Sequence, residues 1–184
     1  MPELPEVETI CSHLRNSPLI GRAIVHMDLL WPRTLAEPST AEFTARAVGQ
    51  AFVNISRRGK FIVFQLTRDF LLIHLRMSGD LLLEPASDPL PPHHRLILGL
   101  EGGLRLAFND ARKFGRAWLV SNPQTILSEL GPEPLDPQFT PQDLYQRLHA
   151  NRRQLKPLLL DQTFLAGLGN IYTDEALHLA RLHP

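Results

Sequence analysis

The stretch HRLILGLEGGLRLAFND (94–110) constrains the fold most strongly. Leu96, Leu98 and Leu100 alternate on one side, Leu104, Leu106 and Phe108 alternate on the return, and Gly102-Gly103 supplies a two-residue turn. Apolar patterning of period two, interrupted by a glycine pair, predicts a β-hairpin with one buried face. RAIVHMDLL, AFVNISRRG, KFIVFQLTR and FLLIHLRMSG read as earlier strands, and RAWLVSN as a later one. In KFIVFQLTR, Ile62, Phe64 and Leu66 share one face. The links leave little room for crossover helices, so the strands pair mainly antiparallel and their apolar faces stack as a sandwich. Two helices are predicted beside it, over about residues 5 to 17 and in PSTAEFTARAVG, the latter capped by Ser39 or Thr40. EPASDPLPPHH (84–94) reads as a proline-rich loop between strands, long enough to be mobile.

The pattern changes at GPEPLDPQFTPQDL, where four prolines between positions 132 and 141 make a stiff connector. DLYQRLHANR, LKPLLLDQ and a segment after GLGN then read as helices. The fold class is therefore α+β: a β-sandwich domain over 1–131 and a helical module over 132–184. In the last helix Tyr172, Ala176, Leu179 and Ala180 share a face that needs partners, and about fifty residues are few for an independent helical domain. The expectation is a module cut short.

Charge alone assigns no partner, because 19 Lys and Arg balance 19 Asp and Glu. The basic residues nevertheless cluster in SRRGK, RKFGR and NRRQLK, and phosphate contact depends on local charge. A single cysteine, Cys11, excludes an internal disulfide and fits a reducing compartment. No cysteine quartet exists for zinc, and the adjacent His93 and His94 cannot readily face one ion. No run approaches the roughly 18–20 apolar residues of a membrane span, and no signal pattern opens the chain. A cytoplasmic location without membrane association is expected.

MPELPE carries two readings. Pro5 and the glutamates suit the first turn of a helix, where carboxylates face the positive end of the dipole. That reading leaves Pro2 unexplained. Methionine before a small residue is usually removed, and Pro2 would then carry a terminal secondary amine. An α-amino group has a reference pKa near 8, so about a tenth is unprotonated at pH 7, far more than for lysine. Such an amine can attack an electrophilic sugar carbon and form an iminium, with Glu3 and Glu6 at hand as proton shuttles.

MPELPEVET, SRRGKF, HLRMSG, NDARKFG and QTFLAGLGNIYTDEAL occur in this order, and together they resemble the signature stretches of the formamidopyrimidine-DNA glycosylase family. The resemblance runs from residue 2 to 184. It implies a β-sandwich bearing the terminal proline, then a helix–two-turns–helix module, then a zinc finger. It also implies excision of oxidised purines from double-stranded DNA by a monomer, with the damaged nucleotide flipped out of the stack. Pro2 would be the nucleophile at C1′, Glu3 the acid/base for base loss and ring opening, and Glu6 a support of that network. Lys60 would contact phosphate and assist strand cleavage; without the resemblance it is an exposed lysine at a strand start.

The resemblance further assigns Met77, Arg112 and Phe114 to a wedge that fills the hole left by flipping, with a guanidinium meeting the orphaned base. Arg112 and Phe114 would point the same way in an extended loop. Met77 shares the parity of Leu71, Ile73 and Leu75, so a core methionine is the competing reading unless the strand ends just before it. His74 and Arg76 share the other face as candidate phosphate ligands. Asn170 is either a helix N-cap or a phosphate ligand, at a helix start whose glycines and free N–H groups favour an anion. His93, Arg152 and Lys156 fall where the family has DNA-contacting loops, although NRRQLK opens with asparagine where basic residues are common.

The cysteines of the family's zinc finger do not occur, so no cofactor is expected in this chain, and duplex affinity is expected to be weakened. Three alternatives stay open at this point: the sister enzymes acting on oxidised pyrimidines, a non-catalytic binder of DNA damage, and a β-sandwich with no DNA function.

Overall fold

The structure, a computed structural model, describes residues 1–183. It begins with α1 (Leu4–Arg15), β1 (Ile24–Leu29), a 3-10 turn (Pro32–Thr34), β2 (Leu35–Glu37) and α2 (Thr40–Ala47). Seven strands follow: β3 (Phe52–Arg58), β4 (Phe61–Leu66), β5 (Phe70–His74), β6 (Gly79–Pro85), β7 (His94–Leu100), β8 (Leu104–Asp110) and β9 (Arg116–Val120). Four helices complete it: α3 (Gln124–Leu127), α4 (Pro141–His149), α5 (Leu155–Leu160) and α6 (Asn170–Ala180).

Two sheets, ordered β1-β7-β8-β6 and β2-β9-β5-β4-β3, form the sandwich. Leu96, Leu98, Leu106 and Phe108 from the first join Phe52, Ile55, Phe64, Leu71 and Ile73 from the second in one core. Helix α1 adds Val7, Cys11 and Leu14, spaced at three or four residues so that one stripe faces inward. Ser39 is the cap of α2, its hydroxyl accepting from the Glu42 N–H at 3.3 Å.

The observed fold departs from the sequence reading in several places. Leu100 pairs with Leu104, so the hairpin turn holds three residues, 101–103, and not two. Gly102 and Gly103 both have positive φ, 79° and 73°, which only glycine adopts at little cost. The short β2 runs parallel to β9, the one parallel pairing among the described strands. Strand β6 pairs with β8 rather than with β5, so the chain changes sheets at the HLRMSG turn. That change of sheet ends β5 at His74.

The helical module has its own small core of Leu158, Leu159, Phe164, Leu165 and Leu177. On α6 the buried side chains are Thr173 and Leu177, one turn apart. The face predicted to be buried is instead open, with Leu179 80% exposed. The reason lies at the helix start, where α6 is fixed by hydrogen bonds to Glu3, which set its rotation.

The proline-rich connector is fastened by Glu133. Its carboxylate accepts from Arg57 (2.7 Å), from Arg58 (3.0 Å) and from the Gly59 N–H, while Arg58 also donates to the Leu130 and Gly131 carbonyls. Arg57 further pairs with Glu8 at 3.0 Å. Two of the three cations in SRRGK are thus consumed inside the protein, and that cluster is a joint between the two parts rather than a phosphate-binding face.

Candidate active site and nucleic-acid interface

Glu3 organises the site. Its side chain is 2% exposed, and its carboxylate accepts from the backbone N–H groups of Gly169 (2.7 Å), Ile171 (2.9 Å) and Tyr172 (3.2 Å). The anion therefore occupies the N-terminus of α6, where unpaired donors and the helix dipole converge. Gly169 makes this seat: a Cβ there would lie 2.4 Å from the Glu3 carboxyl carbon. The Leu4 N–H also donates to the Gly167 carbonyl at 3.0 Å. The glycines of GLGN admit the N-terminal residues of this chain, where the sequence suggested a phosphate.

Asn170 is consequently not the cap. Gly169 holds the N-cap position, and Asn170 is the first helical residue, with its side chain exposed. The expectation of free N–H groups for a phosphate fails for the same reason, since Glu3 takes three of them. Glu6 extends the network: its Oε2 accepts from the Glu3 N–H at 2.8 Å and its Oε1 from the Tyr172 hydroxyl at 3.1 Å. Tyr172, which sequence reasoning placed only on a packing face, thus touches both carboxylates.

A cleft of about 380 Å³ is lined by Met1, Arg76, Met77, Phe114 and Arg116, and Pro2 joins Met1 to Glu3 in the chain. With Met1 attached, the Pro2 nitrogen is an amide and Met1 itself lines the cleft.

Lys60 and His74 are both buried, and both lose proton affinity. Lys60 is 5% exposed, not the exposed strand-start lysine; burial lowers its pKa, and the charge of Glu3 opposes that shift. Burial first, then the charges of Arg76 and Lys60, bring His74 down to about 3. Its Nδ1 accepts from the Arg76 N–H at 3.1 Å, which leaves Nε2 to carry the ring proton. With its ring neutral, His74 offers the Nε2–H as a donor, which is compatible with the expected phosphate contact.

The wedge residues come together on two neighbouring turns. Met77 is 42% exposed because β5 has already ended, so the core reading of this methionine is overturned. Phe114 is 50% exposed, and the Arg112 guanidinium lies 5.2 Å from its ring centroid. Asp110, which is buried, joins the turns: its carboxylate accepts from the Ser78 hydroxyl (2.6 Å), the Arg112 N–H (3.2 Å) and the Gly115 N–H (2.7 Å). Sequence reasoning missed Asp110 and Ser78. The available signal was an Asp opening a tight loop, where a carboxylate commonly accepts from N–H groups just downstream. His93 is exposed just before β7, its Nδ1 3.3 Å from the Arg95 guanidinium, which in turn donates to the Asp110 carbonyl at 2.7 Å.

The helical module places its candidate residues on its surface. Arg152, just beyond α4, is exposed, whereas Lys156 is ion-paired to Asp174 of α6 at 2.7 Å. That pairing makes Lys156 a link between α5 and α6, not a free cation. The zinc that the resemblance attaches to the family finds no fitting residues here. Among the described residues no group of three or more His, Cys, Asp or Glu could hold a metal ion. Cys11 is buried in the core, and burial pushes its thiol up to about 12. No described helix is long and apolar enough to cross a membrane.

A sandwich whose first residues are seated on a helix start of a following helical module, beside an exposed cluster of Met77, Arg112 and Phe114, has the organisation of a helix–two-turns–helix DNA glycosylase. Comparison with known proteins makes this specific: the chain belongs to the formamidopyrimidine-DNA glycosylase family. Residues 1–117 match the family's N-terminal domain and residues 130–184 its H2TH domain. The formamidopyrimidine-DNA glycosylase of Protochlamydia amoebophila is 48% identical over 186 residues, covering 100% of this chain and 67% of that protein. Lactococcus lactis Fpg in complex with DNA containing N7-benzyl-Fapy-dG superposes with a TM-score of 0.91 at 35% identity, over 100% of this chain and 69% of that one. The same protein bound to DNA with an abasic site gives 0.91 at 35% identity, over 99% of this chain and 68% of the other. The chain thus spans about two thirds of the length of these relatives.

Proposed function

We propose that this chain carries the nucleophile, the acid/base pair and the wedge of a bifunctional enzyme that removes oxidised purines from double-stranded DNA and then cleaves the abasic strand. The observation that carries the reading is the seating of Glu3 on the α6 N-terminus, which fixes the peptide that follows Pro2. Removal of Met1 is part of the proposal, since only a free Pro2 amine has the electron pair to attack.

In the proposed reaction the Pro2 nitrogen forms a bond to C1′ of the flipped nucleotide as the C1′–base bond breaks and the base leaves protonated. Glu3 or Glu6 supplies or accepts the protons, and opening of the sugar ring converts the adduct into an iminium. A carboxylate then takes the proton from C2′ of the iminium, and a C2′–C3′ double bond forms as the C3′–O bond breaks and the phosphate leaves with that bond's electron pair. Lys60, buried and short of hydrogen-bond partners, and the Nε2–H of His74 are suited to a phosphate that brings its own negative charge. Met77, Arg112 and Phe114 fill the vacated stack.

Borohydride trapping on an abasic duplex tests this. A covalent adduct is expected once mass measurement shows Met1 absent, and Pro2→Gly or a chain retaining Met1 is expected to lose it. An adduct undiminished in both would remove Pro2 from the mechanism. No adduct from the Met1-free chain would show that this two-thirds span lacks the activity.

A further inference from the structure

Lys113 stands between two wedge residues, and nothing above gives it a role. Its φ is 62°, in the left-handed region that a lysine enters only at a cost. With that backbone, Arg112 and Phe114 stack on one another while the Lys113 ammonium lies 4.1 Å from the ring centroid of Trp31. Trp31 is itself fixed to the same framework. Its backbone N–H donates to the Arg95 carbonyl at 3.2 Å, and Arg95 donates to the Asp110 carbonyl beneath the wedge loop. The Trp31 indole N–H is buried with no acceptor, so the ring offers the loop its face and not its polar edge.

We infer that Trp31 and Lys113 form a clamp that positions the wedge: the ammonium, held over the indole, keeps residue 113 left-handed and thereby keeps Arg112 and Phe114 on one side. The inference rests on the proposed wedge. Lys113 is a positioning residue in this account, acting through its two neighbours. A cation over tryptophan is the strongest such pairing, and it offsets the backbone cost beside a long hydrogen bond of 3.4 Å from the Lys113 N–H to the Asp110 carbonyl.

The experiment uses a duplex with a stable abasic-site analogue and 2-aminopurine as the orphaned base, whose fluorescence reports insertion of the wedge. Lys113→Asn tolerates the left-handed backbone but has no cation, and is expected to weaken the response about two- to fivefold. Lys113→Arg is expected to restore it. Trp31→Leu is expected to match Lys113→Asn, and the double variant to be no worse than either. A full response from Lys113→Asn, or a Lys113→Arg variant as weak as it, overturns the clamp. Phe114→Ala separates the two readings, because an intact response there overturns the wedge itself. A parent chain that gives no response removes the wedge and the clamp together. In the DNA-free chain, the Lys113 ε-methylene protons are expected upfield under the indole and at ordinary positions in Trp31→Leu. Ordinary positions in the parent would overturn the clamp independently of any DNA result.

Discussion

The single residue with the largest consequence for pH is His74. Its folded pKa of about 3 lies below the ordinary value of 6.5. Between those values the unfolded chain binds a proton that the folded one refuses, so stability is complete above about pH 6.5 and falls as the pH drops toward 3. The slope from this group alone approaches about 1.4 kcal/mol per pH unit. Urea unfolding at pH 7 and pH 5, a window above most carboxylate titration, is expected to show this loss, and His74→Gln to reduce it. An equal slope in both proteins would mean that the imidazole is not sealed off. The sequence placed His74 opposite Leu75 by parity, but parity cannot distinguish a solvated face from one covered by Phe61, whose ring stands edge-on 4.8 Å from the imidazole. The same limit applies to Met77, whose exposure depended on the residue at which β5 ends. Pro2 and Glu3 drew notice because MPELPE is a local pattern, whereas the burial of Lys60 was not legible in SRRGKF. The contacts of Tyr172 with Glu3 and Glu6, and of Asp110 with Ser78, were not legible either, since those partners come from distant stretches of chain.

At the scale of elements, α6 couples the two parts through its first turn. Gly169→Ala tests that coupling, because the added Cβ would fall 2.4 Å from the Glu3 carboxyl carbon. Either Glu3 leaves its seat or the helix start shifts, at a cost of about 1–3 kcal/mol for such overpacking. Loss of borohydride trapping is expected alongside the lower stability. Retained trapping at reduced stability would show that Glu3 need not be held by α6. The elements that the sequence revealed were those with strong periodicity and local turns: the β7–β8 hairpin, α2 with its Ser39 cap, and the three helices of the module. Strand β2, three residues long, carries too little pattern to detect. The pairing of β6 with β8 is a choice between sheets, which alternation cannot make. The rotation of α6 was misread because a carboxylate from the other end of the chain, and not its own apolar stripe, sets it.

For the whole molecule, Glu133 decides whether sandwich and helical module behave as one unit. Its carboxylate holds Arg57, Arg58 and the Gly59 N–H, and its side chain is 16% exposed, against 11% and 30% for the two guanidinium residues. A partly solvated cluster is worth less than a fully buried one, and without the anion Arg57 keeps Glu8 and Arg58 keeps the Leu130 and Gly131 carbonyls, while the Gly59 N–H loses its carboxylate acceptor. Glu133→Gln is therefore expected to cost about 2 kcal/mol, below the 3–5 kcal/mol typical of breaking a fully buried pair. Because Gly59 precedes Lys60, the same change is expected to loosen the turn that carries the lysine. The prediction specific to this scale is a loss of cooperativity. Proteolysis under native conditions is expected to cut between residues 132 and 141 of the variant while the sandwich stays intact, and thermal unfolding to split into two transitions. A variant that unfolds in one step, with its connector still protected, would place the coupling entirely at Glu3 and α6. The net charge of zero gave no hint of this joint, because it counts the arginines of SRRGK without showing that Glu8 and Glu133 already neutralise them.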